Sequence, residues 1–134
     1  MFSVTFPLRF GHCDPAGIAF YPRYFELCDA AIEDWTAAVL GVDRRTMHLD
    51  QGLGLPTVRL HVDFSKPSRL GDQLAFAVRT MRIGNSSVDL YLTVTCADET
   101  RFVAHYTLVL THLAAGQSSP WPAAWRERLD KEAE

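Results

Sequence analysis

The sequence has no long apolar run, and its cysteines are few and scattered. No stretch approaches the roughly 18 consecutive apolar residues that a membrane-spanning helix needs. The N-terminal segment MFSVTFPLRF lacks the basic start and the small-residue cleavage site of a signal peptide. The cysteines, Cys13, Cys28 and Cys96, form neither a CxxC pair nor a Cys/His ligand pattern. We therefore expect a cytoplasmic protein without a membrane segment, disulfides or a bound metal.

Basic residues are also in short supply, and phosphate-binding glycine motifs are missing. The 13 Lys and Arg residues are outnumbered by 16 Asp and Glu residues, which gives a net charge of −3. Nucleic-acid-binding domains are typically basic, so nucleic acid is not an expected partner. Neither Gly-x-Gly-x-x-Gly nor Gly-Lys-Ser/Thr occurs, which argues against a dinucleotide or P-loop nucleotide site.

What the sequence does contain is the composition of an ordinary globular domain. Its 134 residues are 48% hydrophobic and 22% charged, which suits one domain over residues 1–134 with a single core. Apolar residues alternate with polar ones over residues 2–10, which predicts a strand. From Pro22 to a stop at Gly41 the apolar residues recur at helical spacing, which predicts one long helix.

Four further strands are predicted in the second half of the chain, where turn residues separate alternating runs. The runs cover residues 58–65, 74–78, 88–94 and 102–110. Short turns make such neighbours antiparallel, so we predict an α+β fold with one helix packed on a five-stranded antiparallel sheet. The two open edges of that sheet favour a homo-oligomer.

Two connecting segments are less regular. Asp43 is placed to cap a short helical turn after the long helix. Residues 114–134 are expected to form a loop and a short peripheral helix.

One loop does not fit the pattern of a core. It runs from Arg9 to Pro22 with the sequence RFGHCDPAGIAFYP, and it carries Asp14 ahead of the long helix. The start of a helix offers unpaired N–H groups and the positive end of the dipole. A polarised carbonyl oxygen could bind there while Asp14 acts on the carbonyl carbon or on a water. Asp-Pro-Ala-Gly is also typical of a simple turn, which residue chemistry alone favours, and both interpretations stay open at this point.

The stretch GHCDPAGIAFYPRYFELCDAA resembles the signature of the hot-dog-fold thioesterases, specifically the 4-hydroxybenzoyl-CoA thioesterase family. The resemblance is carried by Asp-x-x-Gly before the helix and Tyr-Pro-x-Tyr at its start, and the order of elements agrees over residues 1–113. It implies a hot-dog fold, in which a five-stranded antiparallel sheet wraps around one long central helix. It also implies that two chains share one continuous sheet, with a homodimer as the minimal unit and a homotetramer as the assembly.

The resemblance further assigns roles to individual residues. Asp14 matches the catalytic carboxylate, acting as nucleophile or general base, and the backbone N–H of Tyr21 matches the donor that polarises the thioester carbonyl. Asp29 matches the carboxylate that receives the hydroxyl of a hydroxybenzoyl group. Gly17 and His12 are the other substrate-binding candidates.

For the phosphates of CoA, the candidates are Arg82, which is retained from the family's basic cluster, together with Ser87 and Arg69. No metal or other cofactor is implied, because CoA is part of the substrate. Two pocket positions differ from the family: a tryptophan is replaced near Arg45, and a threonine is replaced by Leu55.

The implied function is an acyl-CoA thioesterase that acts on an aromatic thioester of the benzoyl or hydroxybenzoyl type. Because the pocket positions differ, a thioesterase for aliphatic acyl-CoA or acyl-carrier-protein substrates is the alternative enzyme. A non-catalytic acyl-CoA-binding module is an alternative of another class, since one fold hosts many functions. A carboxylate at Asp14, where a binding module needs none, favours catalysis.

Overall fold

The computed structural model describes residues 1–133 and contains a main sheet, a long helix, a small second sheet and a C-terminal helix. In chain order the elements are β1 (Phe2–Pro7), α1 (Tyr21–Trp35), β2 (Leu53–Gly54), β3 (Thr57–Phe64), β4 (Gln73–Ile83), β5 (Ser87–Cys96), β6 (Glu99–Val109), β7 (Thr111–His112), β8 (Gln117–Ser118) and α2 (Ala123–Ala133). The predicted α+β architecture, with five antiparallel strands and one long helix, is confirmed.

The main sheet has the strand order β1-β4-β5-β6-β3, and β2, β7 and β8 form the small sheet. Strand β1 precedes α1 in the chain and pairs with β4, with Phe2 opposite Val78. In the three central strands, β4, β5 and β6, every second residue is buried, because successive side chains of a strand point to opposite faces of the sheet. These residues are Leu74, Phe76, Val78, Val88, Leu90, Leu92, Val94, Phe102, Ala104, Tyr106 and Leu108.

Helix α1 packs on this apolar face. Pro22 occupies its first turn, where the missing N–H breaks no helical hydrogen bond. The ring centroids of Tyr24 on α1 and Phe102 on β6 are 4.4 Å apart. The helical segment continues as a π-helical turn to Leu40. It ends at Gly41, whose φ of 75° favours glycine. The prediction of a helix from Pro22 to Gly41 is therefore confirmed.

The turn predicted at Asp43 is also present. The side-chain Oδ1 of Asp43 accepts the backbone N–H of Thr46 at 2.7 Å.

Strand β1 is shorter than predicted. It ends at Pro7 rather than at residue 10, and Phe10–His12 form a 3₁₀ turn. The cause is local, because the backbone N–H of Arg9 donates to Nδ1 of His12 at 2.9 Å and closes the chain into that turn.

The C-terminal helix is not peripheral, so that prediction is wrong. Leu129 is fully buried, and Trp121 and Trp125 are nearly so. The Trp121 indole N–H donates to the carbonyl of Ser87 at 3.1 Å, and Arg126 donates to the carbonyl of Gly84 at 2.9 Å. The segment therefore completes the core beside the β4–β5 turn.

Strand β3 is an open edge of the main sheet and carries exposed apolar side chains. Val58, Leu60 and Phe64 are 60%, 40% and 51% exposed. The Tyr21 ring at the start of α1 lies 5.9 Å from the Phe64 ring, and the Phe20 ring lies 6.2 Å from that of Tyr21. We call these five residues the edge patch.

None of the helices in the described residues is long and apolar enough to span a bilayer.

The burial of α2 predicts that Leu129→Ala lowers the free energy of unfolding by about 2–4 kcal/mol, because it leaves a cavity in the core. Urea unfolding followed by circular dichroism measures the change. The exposed Glu127→Ala on the same helix is the control and should change stability by less than about 0.5 kcal/mol. An equally small effect of Leu129→Ala would mean that α2 does not pack on the core in solution.

Candidate functional site

The loop between β1 and α1 is folded around the side chain of Asp14. Its Oδ1 accepts the backbone N–H groups of Ala16 at 2.9 Å and of Ile18 at 3.2 Å. Its own N–H donates to the carbonyl of Ile18 at 2.9 Å. Gly17 reverses the chain with a φ of 77°, a conformation that side chains rarely adopt. The motif is thus a turn, and the turn fixes the carboxylate.

The second carboxylate oxygen of Asp14 is free. No residue among 1–133 donates a hydrogen bond to Oδ2, and the carboxylate makes no ion pair with them. The side chain is half-buried. One oxygen is therefore anchored, and the other is available to a substrate or a water.

The loop rests on a second loop, residues 66–72. Ala19 donates to the carbonyl of Ser68, and Leu70 donates to the carbonyl of Gly17, both at 2.9 Å. Arg101 on β6 holds this second loop through Asp72, since its Nη1 lies 2.6 Å from Asp72 Oδ2.

The charge of Asp72 is stabilised by these contacts. The backbone N–H of Arg69 and then the guanidinium of Arg101 hold the pKa of the Asp72 carboxyl below its ordinary value. The ion pair thus connects the loop that supports Asp14 to the start of β6 in the main sheet.

Tyr21 supplies one isolated donor at the start of α1. Its backbone N–H has no acceptor among the described residues, and Pro22, the next residue, has no N–H. Arg23 donates to the carbonyl of Phe20 at 2.8 Å. A carbonyl oxygen arriving at this end of α1 would therefore find the N–H of Tyr21 unpaired.

His12 has a structural contact that limits its options. Its Nδ1 accepts the backbone N–H of Arg9, which leaves Nε2 as the ring nitrogen available to a ligand. The carbonyl of His12 accepts the N–H of Phe20 at 2.9 Å and so ties the two ends of the loop together.

Asp29 lies apart from Asp14, at a cavity of about 220 Å³. The cavity is lined by Asp29, Ile32, Glu33, Arg44, Leu55, Thr57 and Leu108. Burial raises the pKa of the Asp29 carboxyl, and the positive charge of Arg44 partly offsets this rise. Neither Asp14 nor Tyr21 lines the cavity, so one chain does not bring the three together.

Two of the three CoA candidates share a pocket. Arg82 and Ser87 line a cavity of about 450 Å³ with Arg59, and the other lining residues are Val58, Gly84, Asp89 and Thr107. A Cβ at Gly84 would lie too close to the Ser87 hydroxyl, so a larger residue there would force that side chain to move. Arg69 lies elsewhere, on the loop that supports the Asp14 turn. Its backbone forms an isolated antiparallel β-bridge with Ile18.

Sequence reasoning missed Arg59, Arg44 and Arg101. Arg59 was visible only as a polar residue of an alternating strand, and its place beside Arg82 depends on the order of strands. Arg44 and Arg101 had no local motif. The buried Cys28 is no nucleophile, because burial raises the pKa of its thiol to about 12.

No group of three or more His, Cys, Asp or Glu side chains within residues 1–133 is placed to hold a metal ion.

The chain is similar to known proteins in both sequence and fold. The model of the thioesterase-like superfamily matches residues 8–129. A 1,4-dihydroxy-2-naphthoyl-CoA hydrolase from Synechococcus elongatus is 32% identical over 78 residues, which is 58% of this chain and 57% of that protein. Another from Prochlorococcus marinus is 27% identical over 130 residues, covering 92% of this chain and 83% of the relative. The crystal structure of a thioesterase superfamily protein from Jannaschia sp. CCS1 superposes with a TM-score of 0.90 at 26% identity, covering 99% of this chain and 93% of the other.

The Arg101–Asp72 pair predicts a pH-dependent loss of stability. Arg101 is 13% exposed in its side chain, and Arg101→Gln should lower the free energy of unfolding by about 1–2 kcal/mol at pH 7. Because the pKa of Asp72 is depressed in the folded protein, its contribution is present above the ordinary value of 3.8 and disappears as the pH falls further. The difference between wild type and variant should therefore shrink towards pH 3.

Urea unfolding at both pH values measures this difference. Arg23→Gln, which removes an exposed i,i+3 pair with Glu26, is the control and should cost less than about 0.5 kcal/mol at either pH. A difference that is the same at pH 3 and pH 7 would contradict the role given to Asp72.

Proposed function

Because the chain belongs to the thioesterase-like superfamily, we propose that it is an acyl-CoA thioesterase that hydrolyses an aromatic CoA thioester. The observation that carries the proposal is the Asp14 carboxylate, anchored through Oδ1 and unpaired at Oδ2. The names of the relatives, 1,4-dihydroxy-2-naphthoyl-CoA hydrolases, support an aromatic acyl group.

The proposed reaction uses the start of α1 to hold the thioester. The thioester carbonyl oxygen accepts the backbone N–H of Tyr21, which stabilises the negative charge that develops on that oxygen. Asp14 Oδ2 then either attacks the carbonyl carbon or takes a proton from a water that attacks it.

Both routes give the same products. In both, the C–S bond breaks and CoA leaves as a thiolate. Where Asp14 is the nucleophile, water then attacks the resulting anhydride between Asp14 and the acyl group and restores the carboxylate. Overall, one water supplies the hydroxyl group of the free acid and the proton of the thiol. The pKa of an ordinary thiol is near 8.5, so the leaving group does not need a strong general acid.

A second copy of the chain is part of the proposal. Within one chain, Asp14 does not line the cavity beside Asp29. Strand β3 lies at the edge of the main sheet, and the side chains of the edge patch are exposed there. Pairing two chains through this edge would cover the patch. We propose a homodimer with the acyl-CoA between the chains, assembled further into a homotetramer.

The CoA moiety is proposed to bind in the pocket of Arg59, Arg82 and Ser87. Two guanidinium groups and a hydroxyl are suitable donors for phosphate oxygens. Arg69 lies outside that pocket and remains a candidate beside the Asp14 loop. A cytoplasmic location and independence of a metal or redox cofactor stay predictions of the sequence.

Asp14→Asn tests the catalytic assignment. The amide retains an oxygen that can accept the N–H groups of Ala16 and Ile18, so the loop should keep its fold while the charge is lost. We expect kcat to fall by about 10²–10⁴, with KM within a few-fold of wild type. Release of free thiol from benzoyl-, hydroxybenzoyl- and dihydroxynaphthoyl-CoA, with aliphatic acyl-CoAs alongside, measures both constants.

Asp34→Asn, an exposed position on α1, is the matched control and should leave kcat unchanged. Near-normal hydrolysis by Asp14→Asn would refute the assignment. Tight binding of acyl-CoA by wild type without thiol release would point instead to a binding module, and a preference for aliphatic chains would replace the aromatic substrate.

Arg82→Gln tests the CoA pocket. Loss of one guanidinium donor to a phosphate should raise KM about 10-fold and leave kcat nearly unchanged, because the phosphates lie far from the reacting carbonyl. Salt should raise the KM of wild type more than that of the variant. Arg128→Gln on α2 is the control, and an unchanged KM in Arg82→Gln would place the phosphates elsewhere.

A further inference from the structure

The cavity beside Asp29 contains three charged side chains, one of them a basic residue that the sequence motif does not include. Asp29 and Glu33 come from α1, and Arg44 comes from the segment that follows it. Apolar walls are supplied by Ile32, Leu55 and Leu108.

Arg44 is held in place by a buried hydroxyl. Its Nε and Nη2 donate to Thr36 Oγ1 at 3.4 and 3.3 Å. Thr36 is fully buried, and its own hydroxyl proton is donated to the carbonyl of Ile32 at 2.7 Å. The hydroxyl oxygen is therefore oriented as an acceptor, and one edge of the guanidinium is fixed against it.

The other edge of the guanidinium is unsatisfied by the protein. Arg44 Nη1 has no acceptor among residues 1–133, and no carboxylate in that range lies within 4.0 Å of the Arg44 nitrogens. The side chain is half-buried. Burial lowers the pKa of Arg44. The negative charges of Glu33 and Asp29 oppose that change, although neither carboxylate contacts the guanidinium directly. Unpaired, partly desolvated donors of this kind favour a ligand acceptor.

The charge balance of the cavity decides which acceptor fits. Two carboxylates and one guanidinium leave a net negative charge, which disfavours an acyl group bearing its own carboxylate. A hydroxyl is neutral and is both donor and acceptor. It can therefore bind to a carboxylate and a guanidinium at the same time.

We infer that Arg44 is a specificity residue that binds a hydroxyl on the acyl group together with Asp29. The hydroxyl donates to a carboxylate oxygen of Asp29 and accepts from Arg44 Nη1. Hydroxylated aromatic acyl groups are already implied by the resemblance, so the new element is the role of Arg44, and it rests on the proposed thioesterase function. The volume of about 220 Å³ suits a substituted ring, since an apolar cavity of about 150 Å³ accommodates benzene.

The test compares each hydroxylated substrate with its parent that lacks the hydroxyl. The probes are 2-, 3- and 4-hydroxybenzoyl-CoA against benzoyl-CoA, and 1,4-dihydroxy-2-naphthoyl-CoA against 2-naphthoyl-CoA. Wild type should prefer at least one hydroxylated member, and Arg44→Met should reduce that ratio of kcat/KM values by about 10- to 100-fold, as expected for one hydrogen bond to a charged group.

The ratio remains informative if a variant folds poorly, because both substrates meet the same active molecules. Arg44→Lys should restore part of the preference. Thr36→Val, which removes the anchor of the guanidinium, should reduce it by less than Arg44→Met does. The matched control is Arg45→Met, since Arg45 is exposed and does not line the cavity.

Two results would overturn the inference while leaving the thioesterase intact. One is thiol release with no preference for any hydroxylated substrate, and the other is a preference that Arg44→Met leaves unchanged. A preference for 4-carboxybenzoyl-CoA over all hydroxylated probes would also overturn it. Absence of thiol release from every acyl-CoA tested would overturn the proposed function itself, and the inference with it.

Discussion

Two backbone N–H groups, of Ala16 and Ile18, hold one oxygen of Asp14 and thereby set the direction of the other. The rest of the site depends on this contact, because an untethered carboxylate on a loop would point into solvent in many orientations. The loop is in turn supported by residues 66–72, which Arg101 holds through Asp72. The position of the proposed catalytic oxygen is therefore coupled to the main sheet through Arg101, a residue far from Asp14 in sequence.

Much of the fold follows from local pattern. Strands β4, β5 and β6 were predictable because alternation fixes which face is buried, and Pro22 and Gly41 mark the ends of the long helical segment. The C-terminal helix shows the limit of this reasoning. Trp125 and Leu129 are one turn apart, and that spacing does not distinguish packing on the chain's own core from an exposed apolar stripe.

The site divides in the same way. The placement of Asp14 and Tyr21 ahead of the long helix was predictable because one short motif contains both, while their catalytic roles stay predictions. Arg59 lies beside Arg82, and Arg101 beside Asp72, because of strand order and register, which the sequence does not display. Arg44 was not predicted, because the only expectation in this region was that a family tryptophan is replaced near Arg45. In a helical turn one residue rotates a side chain by about 100°, enough to separate a cavity wall from the surface.

The separation of Asp14 from the cavity of Asp29 and Arg44 has a consequence for how the family's members differ. The hydrogen bonds that hold Asp14 come from the backbone of its own loop, so they do not depend on the acyl group. The cavity is built from side chains of α1, β3, β6 and the segment between α1 and β3. Substitutions there can alter the preferred acyl group without moving the carboxylate. Under the proposed function, similarity in the loop therefore informs on the reaction, whereas residues such as Arg44 and Leu55 set the preference for the acyl group.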